Sequence, residues 1–165
     1  MPRVRAARAA FVFLMLAACA LPTPSSGTGR AALVVVHGDG SFEQACVRFE
    51  GETIRGDELL RRSGLAVAFD EGNPLGTLVC SVDGEGCAFP AEDCLCRCRG
   101  GGACSYWAYF NREANGDWTY AVQGARLRTL RDGDMDAWIW LDRSLPTDDI
   151  PLPPEHLTFD AVCPS

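Results

Sequence analysis

The sequence predicts an α+β domain, and three observations carry that prediction. Most of the chain breaks into short apolar or alternating runs of strand length, each bounded by Gly, Asp, Asn or Pro. Only one stretch has helical periodicity. A Gly- and Cys-rich segment in the middle has neither period.

The elements follow in order. Ala31 to His37 is a continuous apolar run and reads as a buried strand. Gly38-Asp39-Gly40-Ser41 is a turn, because Asp and Gly tolerate the positive φ that tight hairpins require. Phe42 to Glu50 closes this first hairpin. Thr53 to Arg62 places Ile54, Leu59 and Leu60 on one side and charges on the other, a helix with Gly64 as its end cap. Leu65 to Phe69 and Thr77 to Val82 read as further strands. Residues 83–104 form the Cys-rich loop. Tyr106 to Asn111 and Trp118 to Gln123 make a second hairpin, and Met135 to Leu141 is the last strong strand. A Pro-rich strap, Ile150 to Pro154, leads to Leu157 and Phe159 and is pinned by Cys163. The order of hairpin, helix and further strands predicts a β-grasp-like mixed sheet with one short helix across it; a small β-sandwich is the alternative.

The first thirty residues read differently. Arg3, Arg5 and Arg8 precede an apolar run, Ala9 to Ala18, that is too short to span a bilayer. Leu16-Ala17-Ala18-Cys19 resembles a bacterial lipoprotein signal, which implies removal of residues 1–18 and a lipid on Cys19. Residues 19–30, rich in Pro, Ser and Gly, are then a tether, and 31–165 a single domain. The expected location is extracytoplasmic, lipid-anchored to the cell membrane.

Composition agrees. The chain has 165 residues and nine cysteines, an odd number. Acylation of Cys19 leaves eight, and an exported domain keeps them oxidised. Four disulfides are expected among Cys46, Cys80, Cys87, Cys94, Cys96, Cys98, Cys104 and Cys163, with 105 pairings open. Neighbours in Cys94-Leu-Cys96-Arg-Cys98 are expected to reach different partners. One residue between cysteines is tighter than zinc ligand pairs prefer, and His37 and His156 lie far off in sequence, so no metal is assigned. The formal charge is -7, with every basic residue an Arg; removing the signal takes three Arg and no acid, leaving -10. So acidic a chain is not a nucleic-acid binder.

No catalytic constellation stands out. Ser105 lies in no Gly-x-Ser-x-Gly elbow, and Gly100-Gly101-Gly102 lacks the Lys and helix of a phosphate loop. Asp132, Asp134 and Asp136 alternate like the opening of a calcium loop. Ala137 and Arg143 then stand where that loop needs Gly and Glu, so the turn reads as a hairpin connection. The chain is read as a non-enzyme.

The aromatics point to binding. Alternation puts Trp138 and Trp140 on one face of their strand, opposite Ala137, Ile139 and Leu141. Trp107 and Tyr109 share a face, as do Trp118, Tyr120 and Val122. Large rings on the face opposite Ile and Leu need a cover. Either the Cys-rich loop and C-terminal strap supply it, or a flat, partly apolar ligand does. Trp107, Tyr109, Trp118, Trp138 and Trp140 are the candidate ligand-binding residues. Tryptophans accessible around one concavity would favour the ligand, and their burial would favour a structural or protein-interaction lipoprotein.

Ser105-Tyr-Trp-Ala-Tyr-Phe110, Gly116-Asp-Trp118, Gly124, Asp132-Gly-Asp134 and Trp138, with the Val-rich first strand and the helix Gly56 to Gly64, resemble the DUF4430 domain. That domain is similar to the C-terminal β-domain of transcobalamin and intrinsic factor, and the resemblance runs from about Ala32 to Leu141. It implies a β-grasp fold of the soluble-ligand-binding type. It further implies cobalamin or a related corrinoid as ligand, not cofactor, with a vitamin or cobalt transporter as partner. The eukaryotic proteins close their site with a helical barrel, for which this chain has no length.

Overall fold

The computed structural model describes residues 27–74, 76–98, 104–142 and 149–165. The signal segment, Cys19 and most of the tether lie outside the described residues. The chain enters directly into β1, Thr28–Val36, three residues earlier than the apolar run alone suggested. There follow β2, Phe42–Glu50; β3, Ile54–Arg55; α1, Gly56–Arg61; β4, Val67–Asp70; β5, Leu78–Val82; and β6, Glu85–Gly86. After the Cys-rich loop come β7, Tyr106–Arg112; β8, Thr119–Tyr120; a 3-10 turn, Ala125–Leu127; β9, Thr129–Leu130; β10, Met135–Leu141; and α2, Phe159–Val162.

The main sheet has the order β2-β1-β10-β7-β8. Its central strands β1 and β10 run parallel, with Val34 beside Ala137, and each is flanked by an antiparallel partner. A first hairpin, a helix across the sheet and a last strand inserted beside the first make this a β-grasp-like α+β fold. A small sheet, β4-β5-β6, packs beside it, and β3 pairs with β9.

Several local expectations shift, each for a traceable reason. The helix is shorter than Thr53 to Arg62, because Ile54 and Arg55 pair with Leu130 and Thr129 and Gly56 N–H donates to Arg128 O at 3.1 Å. Gly64 does follow the helix with φ +91°. The strand expected to reach Gln123 stops at Tyr120, and the chain crosses to β5, where Ala125 N–H donates to Thr77 O. The Asp132–Asp134 turn is not a hairpin connection: it joins β9, paired with β3, to β10, paired with β1 and β7. Its carboxylates accept backbone N–H groups of Arg30, Ala114 and Arg131. A second short helix, α2, appears in the C-terminal segment, where the Thr158 hydroxyl caps it by accepting from Ala161 N–H.

Four disulfides form, Cys46–Cys163, Cys80–Cys94, Cys87–Cys96 and Cys98–Cys104. The three consecutive C-x-C cysteines reach three different partners, and Cys163 pins the strap to β2. Such a set of bridges fits a domain that resides in an oxidising, extracytoplasmic compartment. Among the described residues, no helix is long and apolar enough to cross a membrane.

The main sheet buries both faces. One face carries Leu33, Val35, Trp107, Tyr109, Trp138 and Trp140 under Leu59 and Leu60 of α1 and Val82 of β5. The other carries Val34, Phe110, Ala137 and Ile139 under Ile150, Leu157 and Val162 of the strap and α2. The strap therefore covers the face opposite Trp107, Trp138 and Trp140, so of the covers considered for those rings it is not one. The Pro-rich segment cannot pair as a strand, and Cys46 fixes it to the side of β2 that points away from Val47 and Phe49.

Candidate ligand-binding cleft

Antiparallel pairing of β7 with β10 sets Trp107 opposite Trp140 and Tyr109 opposite Trp138. The Tyr109 and Trp138 rings stack with centroids 4.4 Å apart and planes 17° from parallel. The Trp107 and Trp140 rings meet at 5.3 Å, tilted. Ring pairs in these geometries contribute beyond the area they bury.

β5 and the Cys-rich loop do not close completely over this layer. They leave a cleft of about 460 Å³, floored by Trp107, Tyr109 and Trp138. Leu78, Val79 and Leu95 form one wall, and Tyr106, Tyr120 and the segment from Ala121 to Ala125 form the other. Among the described residues, no charged side chain lines it. Two rim residues are unusually exposed for their type, Leu95 at 45% and Val122 at 87%. Thr77 also lines the cleft; its side chain is buried, and its hydroxyl has no hydrogen-bond partner among the described residues. A buried hydroxyl without a partner is costly.

The polar groups around the cleft are held neutral or paired. Burial, and then the neighbouring Tyr120 hydroxyl, raise the Tyr106 pKa above the usual phenol value. Burial, and then Asp136, raise that of Tyr109. Below the floor, the Tyr109 hydroxyl donates to Asp136 Oδ2 at 2.5 Å, and Asn111 Nδ2 and Arg128 Nε donate to Oδ1 at 3.0 and 3.4 Å. Asp136 is fully buried, and desolvation pushes its pKa up to about 6 against the pull of these donors.

A clamp at the far end of the floor ties the small sheet to the large one. His37 Nδ1 lies 2.7 Å from Glu85 Oε2, Gly38 N–H donates to the same carboxylate, and Trp107 Nε1 donates to Glu85 O at 3.3 Å. Burial alone would lower the His37 pKa, but Glu85 and Glu43 outweigh it and raise it.

Three of the five candidate residues, Trp107, Tyr109 and Trp138, thus come together at one cleft. Each is less than a tenth exposed, the outcome set out above as favouring a structural role, although together they floor the cleft. Trp140 lies beside them but outside the cleft, its Nε1 donating to Asp142 Oδ1 at 3.1 Å. Trp118 belongs to the opposite face, half-buried, with the Arg112 guanidinium 5.8 Å above its ring. Sequence reasoning missed Thr77, Leu78, Val79 and Leu95. Only Leu95 carried a signal, as an isolated large apolar residue between two cysteines.

No protein-family profile matches the chain, and no curated protein matches it. Among solved structures, the chain is similar to one described as "a putative metal binding protein" from Ruminococcus gnavus. The two share 16% identity with a TM-score of 0.49, covering 70% of this chain and 99% of that one.

Proposed function

We propose that this protein is an exported binding module, lipid-anchored through Cys19, that holds a small uncharged ring-containing molecule in the aromatic cleft. The observation that carries this reading is the cleft itself: an aromatic floor, an exposed apolar rim and, among the described residues, no charged lining and one buried hydroxyl without a partner. Binding sites for small molecules combine those features, an apolar lining with a few placed polar groups, in volumes of about 300–1,000 Å³. Burying a charged ligand there would leave its charge unpaired at high cost.

The resemblance to the transcobalamin-type β-domain makes a corrinoid the first ligand to test. A cleft of about 460 Å³ seats one edge of a corrinoid, not the whole molecule. A second protein, such as a transporter, would then complete the cage. The second reading, a structural or protein-interaction lipoprotein, draws on the burial of Trp107, Trp138 and Trp140.

Titration of the mature chain with cobinamide and cobalamin up to about 0.1 mM, followed by tryptophan fluorescence and calorimetry, separates these readings. Saturable quenching that Thr77→Val weakens and Leu95→Ala weakens further supports the cleft. No heat and no quenching with either compound removes the corrinoid. The same null result across a panel of neutral aromatics favours the second reading.

A further inference from the structure

A second concavity, about 710 Å³, has the opposite character. Arg30, Arg48 and Arg62 meet there, with Glu50 and Asp132 as the acids and Thr28 at the rim. In a chain of net charge -7, three arginines at one end of a sheet are a local reversal of sign.

The charge is not spent internally. Arg30 and Arg48 sit directly opposite each other on β1 and β2, a like-charge pairing that strands disfavour. Arg30 Nη1 donates to the carbonyls of Cys163 and Pro164, and Asp132 accepts from the Arg30 backbone N–H. Arg62 Nη2 donates to the Arg48 carbonyl at 2.6 Å. Among the described residues neither Arg48 nor Arg62 forms an ion pair, and both side chains are exposed.

Position supplies the partner. Thr28, the first residue of β1, lines this concavity, so the chain leading back to Cys19 leaves from its rim. Fully extended, that stretch reaches at most about 30 Å. A lipid on Cys19 therefore holds the arginines close to a bilayer. The aromatic cleft lies toward the other end of the strands, since Trp138 sits beside Val35 while Thr28 begins β1.

We propose that Arg48 and Arg62, backed by Arg30, dock this end of the domain on the phosphate headgroups of anionic lipids. The aromatic cleft then faces away from the membrane. This rests on the Cys19 anchor proposed above. Docking offsets the repulsion between an acidic domain and an anionic surface by meeting it with this arginine-bearing end.

The test uses the mature chain with Cys19→Ser, which carries no lipid, sedimented with vesicles of phosphatidylcholine alone or with about one-third phosphatidylglycerol. Binding to the anionic vesicles, lost in about 0.5 M salt, is expected. Each arginine near such a surface is worth about five-fold, so Arg48→Ala with Arg62→Ala should weaken binding roughly twenty-five-fold while thermal unfolding is unchanged. Equal binding to both vesicles, or a double variant that binds like the parent, overturns the proposal. So does complete displacement by about 10 mM inorganic phosphate, which would make this a small-anion site. The anchor is read separately, from the mass of the Cys19 peptide isolated from membranes. An unmodified cysteine there removes the anchor and leaves the vesicle result standing on its own.

Discussion

The two faces of the main sheet are built from the same strands and closed in different ways. Behind β10, Ala137, Ile139 and Leu141 meet a Pro-rich strap that a single disulfide holds in place. In front, Trp138 and Trp140 meet a helix and a small second sheet that cover most of the layer but leave the cleft open. The strap face is closed by a covalent pin and by aliphatic side chains packed around Phe110. The tryptophan face is closed by large rings, a buried ionisable network and an incomplete cover. Incomplete cover leaves the Trp107, Tyr109 and Trp138 rings as the floor of a cleft while they remain part of the core.

Unpinning the strap separates the two modes of closure most directly. Cys46 and Cys163 are 117 residues apart, so Cys46→Ser with Cys163→Ser should cost about 4 kcal/mol in urea unfolding. A loss below about 1 kcal/mol would mean that packing alone closes that face. On the opposite face, Trp138→Ala removes a ring that is 2% exposed and stacked on Tyr109. It should cost about 3–5 kcal/mol by the same measurement.

The buried network gives the tryptophan face a pH dependence. The folded-state pKa of Asp136, about 6, lies above its unfolded value of 3.8. The folded protein therefore holds this proton more tightly, and the stability it lends at low pH is lost as pH rises through that window. The loss amounts to at most about 3 kcal/mol. Unfolding followed between pH 4 and 7 should show this slope, and Asp136→Asn should flatten it. His37 acts in the same direction at higher pH. Its pKa is raised, so the clamp to Glu85 holds while the ring is protonated and weakens as pH rises through the raised value. Glu85→Gln is expected to cost about 1 kcal/mol below that value and less above it.

The smallest expected effect is the most diagnostic. Leu95→Ser and Val122→Ser alter exposed rim residues and should change stability by no more than about 0.5 kcal/mol. If they also leave ligand titrations untouched, the rim has no part in binding and the two faces differ only in construction.

Much of this was legible before any fold was known. Strict alternation in Met135 to Leu141 separated two side-chain sets, and both proved buried in different clusters. The first hairpin and the glycine after α1 followed from local turn chemistry. The boundaries that moved did so because backbone groups found distant partners, as when β9 took Ile54 and Arg55 out of the helix. The cleft was half legible: the rings of Trp107, Tyr109 and Trp138 announced themselves, whereas Thr77 and Leu95 look unremarkable in one dimension.

Local pattern settled the α+β class, the order of the longer strands and α1, the two-sidedness of the central strands and the presence of cysteines enough for four bridges. These are local properties, set by side-chain period, by φ at Gly and Asp, and by composition. Tertiary structure alone decided which cysteines bond, which element covers which face, that β1 and β10 run parallel, and that Asp136 is buried beneath Tyr109. Each of those depends on contacts between residues far apart in the chain. Their free energy comes from burial and pairing in three dimensions, which local pattern does not encode.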